Sequence, residues 1–170
     1  SIVLRGKLQH RDNLGNGDVL KPGDVQKMTA GSGIIHSEFN PSDKEPVHFL
    51  QIWIIPNMLD LRPSYEQKAF NRKSMTNRLT LLVSPDGHNG SLEIHQDAEI
   101  WQILLEENKD TEFAINHSRK IWIQVAEGSV STNEHLLVAG DGLAVSDEED
   151  IIRLRGIDKL SNIIIFNLRA

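Results

Sequence analysis

Apolar residues in this chain recur in short, β-branched runs of strand length. The clearest runs lie at 2–4, 47–55, 78–83, 121–125, 136–138, 151–154 and 163–166. Gly, Asn, Asp and Pro cluster between the runs, at 15–17, 22–24, 85–87 and 139–142. Strands of this length separated by such turns are typical of an antiparallel sandwich or barrel.

Helical periodicity is scarce. The best candidate for a helix is the segment 64–70, which is long enough for two turns at most. Trp53, Trp101 and Trp122 each lie within an apolar run, so we expect them in the core. The pattern therefore predicts an all-β protein.

A weak internal repeat divides the chain. Gly6 followed by Pro22-Gly23-Asp24 in the first half is matched by Gly128 followed by Ala139-Gly140-Asp141 in the second. Two copies of one β-barrel unit would explain the match, with the join near 70–78 or in the loop 85–90. We place the two predicted units at residues 1–77 and 78–170.

Composition narrows the class of protein. The chain has 170 residues, enough for a real core, and 18 Lys and Arg against 24 Asp and Glu give a net charge of −6. An acidic chain is a poor ligand for nucleic acid, and no apolar run approaches the roughly 18 residues of a membrane span. Cysteine is absent, which excludes disulfides, thiolate metal sites and thiol nucleophiles.

The chain begins unusually. Ser1-Ile2-Val3-Leu4 contains no Met and no signal segment and lies directly in a predicted strand. We expect that residues belonging to the same fold precede Ser1. The missing signal segment and the missing cysteines together predict a cytoplasmic protein.

The segment 22–40 carries the densest chemical signal. Gly31 and Gly33 predict a tight turn, and a strand follows it. His36 and Glu38 are two residues apart on that strand, so their side chains project to one face. An imidazole and a carboxylate there are suitable ligands for a divalent transition metal. The alternative is a polar pair on a solvated strand face.

These residues also carry a family resemblance. Gly33-x-x-His36-x-x-x-Asn40, preceded by Pro22-Gly23-Asp24, resembles the second motif of the cupin superfamily. The string 10–17 together with 31–38 resembles the pirin family, and within it the bacterial quercetinase-type pirins. Further shared segments lie at 50–54, 63–67, 82–87 and 90–97, so the resemblance covers essentially the whole chain.

The resemblance implies a bicupin, two stacked antiparallel β-barrels of jelly-roll type, of which the first is N-terminally incomplete here. It implies one non-haem metal in the first barrel, held by three histidines and one glutamate, and no metal in the second. Two of these ligands fall on His36 and Glu38. The other two come from a His-Pro-His segment before the strand at Ser1, which this sequence does not contain. We therefore expect weak or absent metal binding, although His10 or His48 could be argued for as a substitute.

The implied function is a metal-dependent quercetin 2,3-dioxygenase activity, which opens a flavonol ring with O2 and releases carbon monoxide. Glu38 would be the base for the substrate hydroxyl. Met28 and Phe39 flank His36 and Glu38 in the sequence, which suits either a pocket for a planar aromatic substrate or ordinary barrel packing. Iron is the expected ion, with Ni, Mn, Co, Cu and Zn as alternatives. With only two ligands, this chain alone is expected to be inactive. The alternative function is a non-enzymatic, metal- or redox-responsive regulatory protein that binds a protein partner.

Three other features have simpler interpretations. His10-Arg11-Asp12 resembles a kinase catalytic loop, but the turn residues 13–17 follow it, so we interpret it as the end of a strand. His95 and Asp97 are expected on a polar strand face. The acidic run 146–150 is expected to be a solvated loop, with a hard-cation site as the alternative.

Overall fold

The structure is a computed structural model that describes residues 1–132, 135–145 and 150–170. Strands dominate throughout these ranges, and the one helical element in them is a single 3₁₀ turn, His88–Gly90. The predicted all-β class is therefore confirmed. Nowhere in the described ranges is there a helix with the length and apolar character to cross a membrane.

The chain forms two compact units. Residues 1–71 and 94–96 make up the first, and residues 72–93 and 97–170 make up the second. The assignment of 1–77 and 78–170 as two cupin barrels stays a prediction.

The first unit contains two antiparallel sheets. Its strands are β1 (Ile2–Arg5), β2 (Leu8–Asp12), β3 (Gly17–Leu20), β4 (Asp24–Thr29), β5 (His36–Phe39), β6 (His48–Leu50) and β7 (Ser64–Ala69). One sheet has the order β6-β1-β4-β7 and the other the order β3-β2-β5. Val3, Leu8 and Leu20 form the buried core of this unit, and Val47 and Phe49 pack against it.

The segment 64–70, which shows the best helical periodicity of the chain, is not a helix, because Ser64–Ala69 is the strand β7. β7 pairs with β4 at six consecutive positions, from Asp24 opposite Ala69 to Thr29 opposite Ser64. A ladder of that length satisfies backbone groups that a two-turn helix would leave unpaired at both ends. Tertiary pairing therefore overrides the local preference.

The second unit also contains two sheets. Its strands are β8 (Thr80–Ser84), β9 (Leu92–Glu93), β10 (Ala98–Glu106), β11 (Asp110–Ala114), β12 (Arg119–Glu127), β13 (Ser129–Ser131), β14 (Leu136–Val138), β15 (Gly142–Val145), β16 (Ile151–Gly156) and β17 (Leu160–Arg169). The sheet orders are β15-β12-β17-β10-β8-β9 and β11-β16-β13-β14. All pairs are antiparallel except β8 with β9, which is parallel. A core that includes Ile123, Val130 and Ile163 fills the space between the sheets.

The expectation that all three tryptophans lie in the core is wrong for two of them. Trp101 packs against the core of the second unit, with its ring edge-on to Phe113 at 6.0 Å. Trp53 is 87% exposed and Trp122 is 39% exposed. Hydrophobicity alone places them inside, but an apolar run does not specify which face of a strand is covered.

The internal repeat is visible in matching turns and strand orders. In the first unit Lys21 donates its backbone N–H to the carboxylate of Asp24, and in the second Val138 donates to Asp141 in the same way. The order β4-β1-β6 in the first unit corresponds to β15-β12-β17 in the second, and β3-β2-β5 corresponds to β14-β13-β16. Both units are therefore variants of one β architecture.

Candidate metal centre

Strands β2 and β5 bring three metal-binding side chains together. In the antiparallel register, His10 stands opposite Glu38 and Asp12 opposite His36. One potential ligand atom from each of His10, His36 and Glu38 lies within 4.8 Å of the other two. Two imidazoles and one carboxylate form a donor set suited to divalent transition metals.

A glycine turn delivers His36 to this position. Gly31 has a φ of +53°, and a Cβ there would lie 2.0 Å from the carbonyl oxygen of Leu61. Ser32 donates its N–H to that same carbonyl at 3.0 Å. Asn13 then bonds Ile35 twice, through its backbone N–H and through its side-chain oxygen. The start of β5 is therefore fixed on both sides.

His10 is completely buried and held by Asp12. Its Nε2 lies 3.0 Å from Asp12 Oδ2. Burial on its own would raise the pKa of Asp12, but hydrogen bonds from His10, from the side chain and backbone of Asn16, and from the backbone of Leu14 hold that pKa well below its usual range. Asp12 is therefore an ionised carboxylate that anchors the imidazole.

Glu38 receives hydrogen bonds from two glutamine side chains, one on the facing sheet and one just after β6. Gln26 on β4 donates from Nε2 to Glu38 Oε1 at 3.0 Å, and Gln51 donates from Nε2 to Oε2 at 3.4 Å. Glu38 Oε1 also lies 3.8 Å from Nδ1 of His10. The carboxylate is only 11% exposed, so these contacts fix its direction.

The ring of Tyr65, on β7, packs against one face of the His10 imidazole. The two rings stack with centroids 4.5 Å apart, and the Tyr65 hydroxyl donates to Gln67 Oε1 at 2.9 Å. Burial, followed by the negative charges of Asp18, Asp12, Glu38 and Asp24, raises the pKa of Tyr65 to about 12.

This shift predicts a measurable titration, because Tyr65 is the one tyrosine of the chain. In the metal-free protein, tyrosinate absorbance should rise with a midpoint near pH 12, against about 10 for the same chain in urea. A raised pKa stabilises the fold below the unfolded value, so this stability should be lost as the pH climbs through the folded value. A folded chain, verified by circular dichroism, that titrates near the urea value would contradict the assignment.

The residues fit a metal ion. Neither ring nitrogen of His36 has a hydrogen-bond partner within the described ranges, and its side chain is exposed. Gln26 Oε1, buried beside Glu38, is also unpartnered there. Two ligand atoms about 2.1 Å from one ion can be up to about 4.2 Å apart, so the 3.8 Å between His10 Nδ1 and Glu38 Oε1 suits a shared ion.

The structure brings together both residues singled out from the sequence, His36 and Glu38, and adds a third. His10 lies near the end of a strand, as the turn residues after it predict, and it also faces Glu38 across the ladder. Its spacing of two from Asp12 is the signal in the sequence that points to this role. His48 lies exposed on β6, outside this cluster.

Of the two residues expected beside the metal ligands, Met28 and Phe39, only Met28 faces the centre. Met28 shares a strand face with Gln26 and pairs in register with Tyr65, so it lies toward the centre. Phe39 alternates with Glu38 and lies on the other face, where the guanidinium of Arg11 sits 5.6 Å from its ring centroid. Strand periodicity therefore excludes Phe39 from the pocket.

Two of the three matching positions of the second unit are apolar. β13 pairs Val130 with Gly156, and extending this register places Leu154 where Glu38 stands and Ile152 where His36 stands. Both side chains are buried in the core. The absence of metal from the second barrel stays a prediction.

The expectation that His95 and Asp97 lie on a strand face is wrong, because both lie in the bend between β9 and β10. Asp97 forms an ion pair with Arg119, and the backbone carbonyl of His95 accepts from Asn57. Of the acidic run, residues 146–149 lie outside the described ranges. Asp150 is exposed and forms an ion pair with His117 at 2.8 Å.

Comparison with known proteins gives matches over both units. Residues 1–54 match the model of the Pirin family, and residues 81–168 match the quercetinase C-terminal cupin domain. A curated protein named quercetin 2,3-dioxygenase, from Escherichia coli K12, is 39% identical over 168 residues, which are 99% of this chain and 71% of that protein.

Solved structures show the same likeness. The bacterial pirin YhhW from Escherichia coli, in complex with nickel(II), superposes with a TM-score of 0.89 at 37% identity, over 99% of this chain and 70% of that chain. A quercetin 2,3-dioxygenase from Acinetobacter baumannii reaches a TM-score of 0.77 at 20% identity, over 99% of this chain and 57% of that one. At that identity the second match is informative about the fold alone.

Proposed function

Because this chain belongs to the pirin family of cupin proteins, we propose that it is a metal-dependent dioxygenase of the quercetin 2,3-dioxygenase type. The observation that carries the proposal is the cluster of His10, His36 and Glu38 on the inner face of β2 and β5. The expectation of an inactive chain rests on two ligands, and the cluster offers a third donor. A cytoplasmic location is part of the same proposal.

His36 and Glu38 would hold the ion, and their chemistry fits Fe, Ni, Mn, Co, Cu or Zn. Bound there, a redox-capable ion such as iron would act as a Lewis acid and could coordinate both O2 and a flavonol. We propose iron for this reason. The nickel complex of the related YhhW is evidence that the relative's fold accepts a divalent ion.

Glu38 would accept the proton of the substrate hydroxyl. Its carboxylate accepts hydrogen bonds from Gln26 and Gln51, so an oxygen stays directed at the centre while the proton moves. Met28, on the face of Gln26, would offer an adaptable apolar surface to a planar ring. The low exposure around His10 keeps water from the inner side of the centre.

The test is turnover of quercetin by the 170-residue chain loaded with Fe(II) in air. One quercetin and one O2 would give one ring-opened product and one carbon monoxide. Loss of flavonol absorbance and release of CO should therefore rise together, and both should require the metal.

The variant Glu38→Gln keeps the size of the side chain and removes the base, so it should lower the rate by about 100-fold or more. The same substitution at Glu66, an exposed residue of β7 paired with Lys27, should leave the rate unchanged. Absence of turnover in a chain shown by elemental analysis to be fully loaded would refute the enzyme function.

A protein-binding role is the second candidate, and one observation favours it. Trp53 is joined by Ile55 and Leu59 as strongly exposed apolar side chains of one loop segment. Exposed apolar groups of this size often mark interaction surfaces. The quercetin assay separates the two candidates, because only the first requires turnover.

A further inference from the structure

We propose that Asp12 is a positioning residue that selects the ring tautomer of His10 and thereby makes His10 Nδ1 a third protein ligand of the metal centre. The inference rests on the proposed function and deepens it. It concerns which nitrogen carries the imidazole proton, a property that residue identity alone does not determine.

The side of His10 that faces Asp12 must be a donor. Asp12 Oδ1 accepts from the backbone N–H groups of Leu14 and Asn16 at 2.9 and 3.0 Å, and Oδ2 accepts from Asn16 Nδ2 at 2.9 Å. A carboxylate that is surrounded by donors is ionised and can only accept. The 3.0 Å contact between Oδ2 and His10 Nε2 therefore requires a hydrogen on Nε2.

The other side of the ring independently gives the same answer. Gln26 must turn its Nε2 toward Glu38 Oε1, because its oxygen would repel the carboxylate there. The same Nε2 lies 3.4 Å from His10 Nδ1. Nδ1 thus faces a donor and is unprotonated, and a metal ion would take its lone pair in place of the long contact from Gln26.

Packing restrains the plane of the His10 ring. The His10 ring is fully buried between Tyr65, at a centroid distance of 4.5 Å, and His36, at 5.5 Å, with both pairs stacked. Since His10 and Asp12 are two residues apart on β2, their side chains share a face. A ligand imidazole that donates its other N–H to a carboxylate is a common arrangement in metal sites.

The chain contains a matched control. Asp86 and His88 have the same spacing of two, and His88 Nδ1 lies 2.6 Å from Asp86 Oδ1. That pair lies in the second unit, and it is absent from the metal-binding cluster that the described residues form. Asp86→Asn therefore repeats the chemical change without touching the centre.

The experiment compares wild type, Asp12→Asn, His10→Gln and Asp86→Asn. Asparagine at position 12 can donate to Nε2, which would move the imidazole proton to Nδ1. In the metal-free chain, ¹⁵N NMR of the histidine rings should show hydrogen on Nε2 of His10 in wild type and on Nδ1 in Asp12→Asn. Calorimetric titration with Ni(II) alone should show affinity falling about 10- to 100-fold in Asp12→Asn, at least as much in His10→Gln, and not at all in Asp86→Asn.

Unchanged Ni(II) affinity in Asp12→Asn would overturn the inference, as would hydrogen on Nδ1 of His10 in wild type. If circular dichroism shows Asp12→Asn to be unfolded, His10→Gln decides, because it leaves the turn bonds of Asp12 in place. Loss of Ni(II) binding in His36→Ala, with full binding in His10→Gln, would overturn this inference while the metal centre stands. A wild type that binds no Ni(II) would overturn both.

Discussion

Leu154→Glu is expected to destabilise the second unit by about 5 kcal/mol at neutral pH. It places a carboxylate at the position that Glu38 occupies in the first unit. Leu154 is 1% exposed and belongs to the apolar core. An ionised group there would lie in a cluster of apolar side chains that includes Ile123 and Ile152, whereas Glu38 accepts hydrogen bonds from Gln26 and Gln51. A cost of that size is comparable to the whole stability of many domains.

The destabilisation should depend on pH with a definite sign. Burial would raise the pKa of the new carboxyl above its unfolded value of about 4.3. The charge penalty is then absent below that value and grows as the pH rises through the folded value. Urea unfolding, followed by the fluorescence of Trp101, should therefore show a variant that recovers stability as the pH is lowered from 8 toward 5.

Leu154→Gln is the control for this prediction, since it has nearly the same shape and cannot ionise. Its cost should not vary over the same pH range. The reverse change, Glu38→Leu, should leave the first unit folded and remove metal binding. If Leu154→Glu proves as stable as wild type at pH 8, the two positions do not differ in their surroundings as the register indicates.

The contrast between Glu38 and Leu154 shows what the sequence could specify. Alternating apolar runs and Gly-Asp turns are enough to predict an all-β chain with a repeated unit, because both signals are local. His36 and Glu38 can be found for the same reason, since two residues on one strand share a face whatever the strand pairs with.

His10 cannot be assigned in that way. Its role depends on β2 pairing with β5, which joins residues 28 positions apart in a register that local patterns do not determine. The segment 64–70 is not identified as a strand for a related reason, because its pairing partner β4 lies about 40 residues upstream. Non-local pairing thus explains why the sequence leaves His10 and His48 as alternatives and why it does not reveal β7.

Gly31→Ala is expected to cost the first unit about 3 kcal/mol or more, from two sources. The φ of +53° is left-handed, which is unfavourable for alanine by about 1 kcal/mol. The larger cost is steric, since the new Cβ would lie 2.0 Å from the Leu61 carbonyl oxygen and 2.8 Å from its carbon. Both are backbone atoms, so no side-chain rotation relieves the clash.

The clash should also disturb the position of His36 in the metal centre, because the turn precedes the strand that carries it. Leu61 must move away from Gly31, which breaks its hydrogen bond from Ser32 and releases the entry to β5. His36 stands at the first position of that strand and has an exposed side chain, so the turn restrains it together with the two bonds between Asn13 and Ile35. We expect weaker Ni(II) binding in calorimetry and faster hydrogen exchange at the amides of β5.

Gly15→Ala separates the steric cost from the conformational one. Gly15 lies in the same unit and also has a positive φ, +92°, but a Cβ added there would meet no heavy atom within 4 Å. It should therefore cost only about 1–2 kcal/mol. If the two variants lose the same free energy of unfolding, the Leu61 carbonyl can move away at little cost. The turn at Gly31 would then not be what holds His36 at the centre.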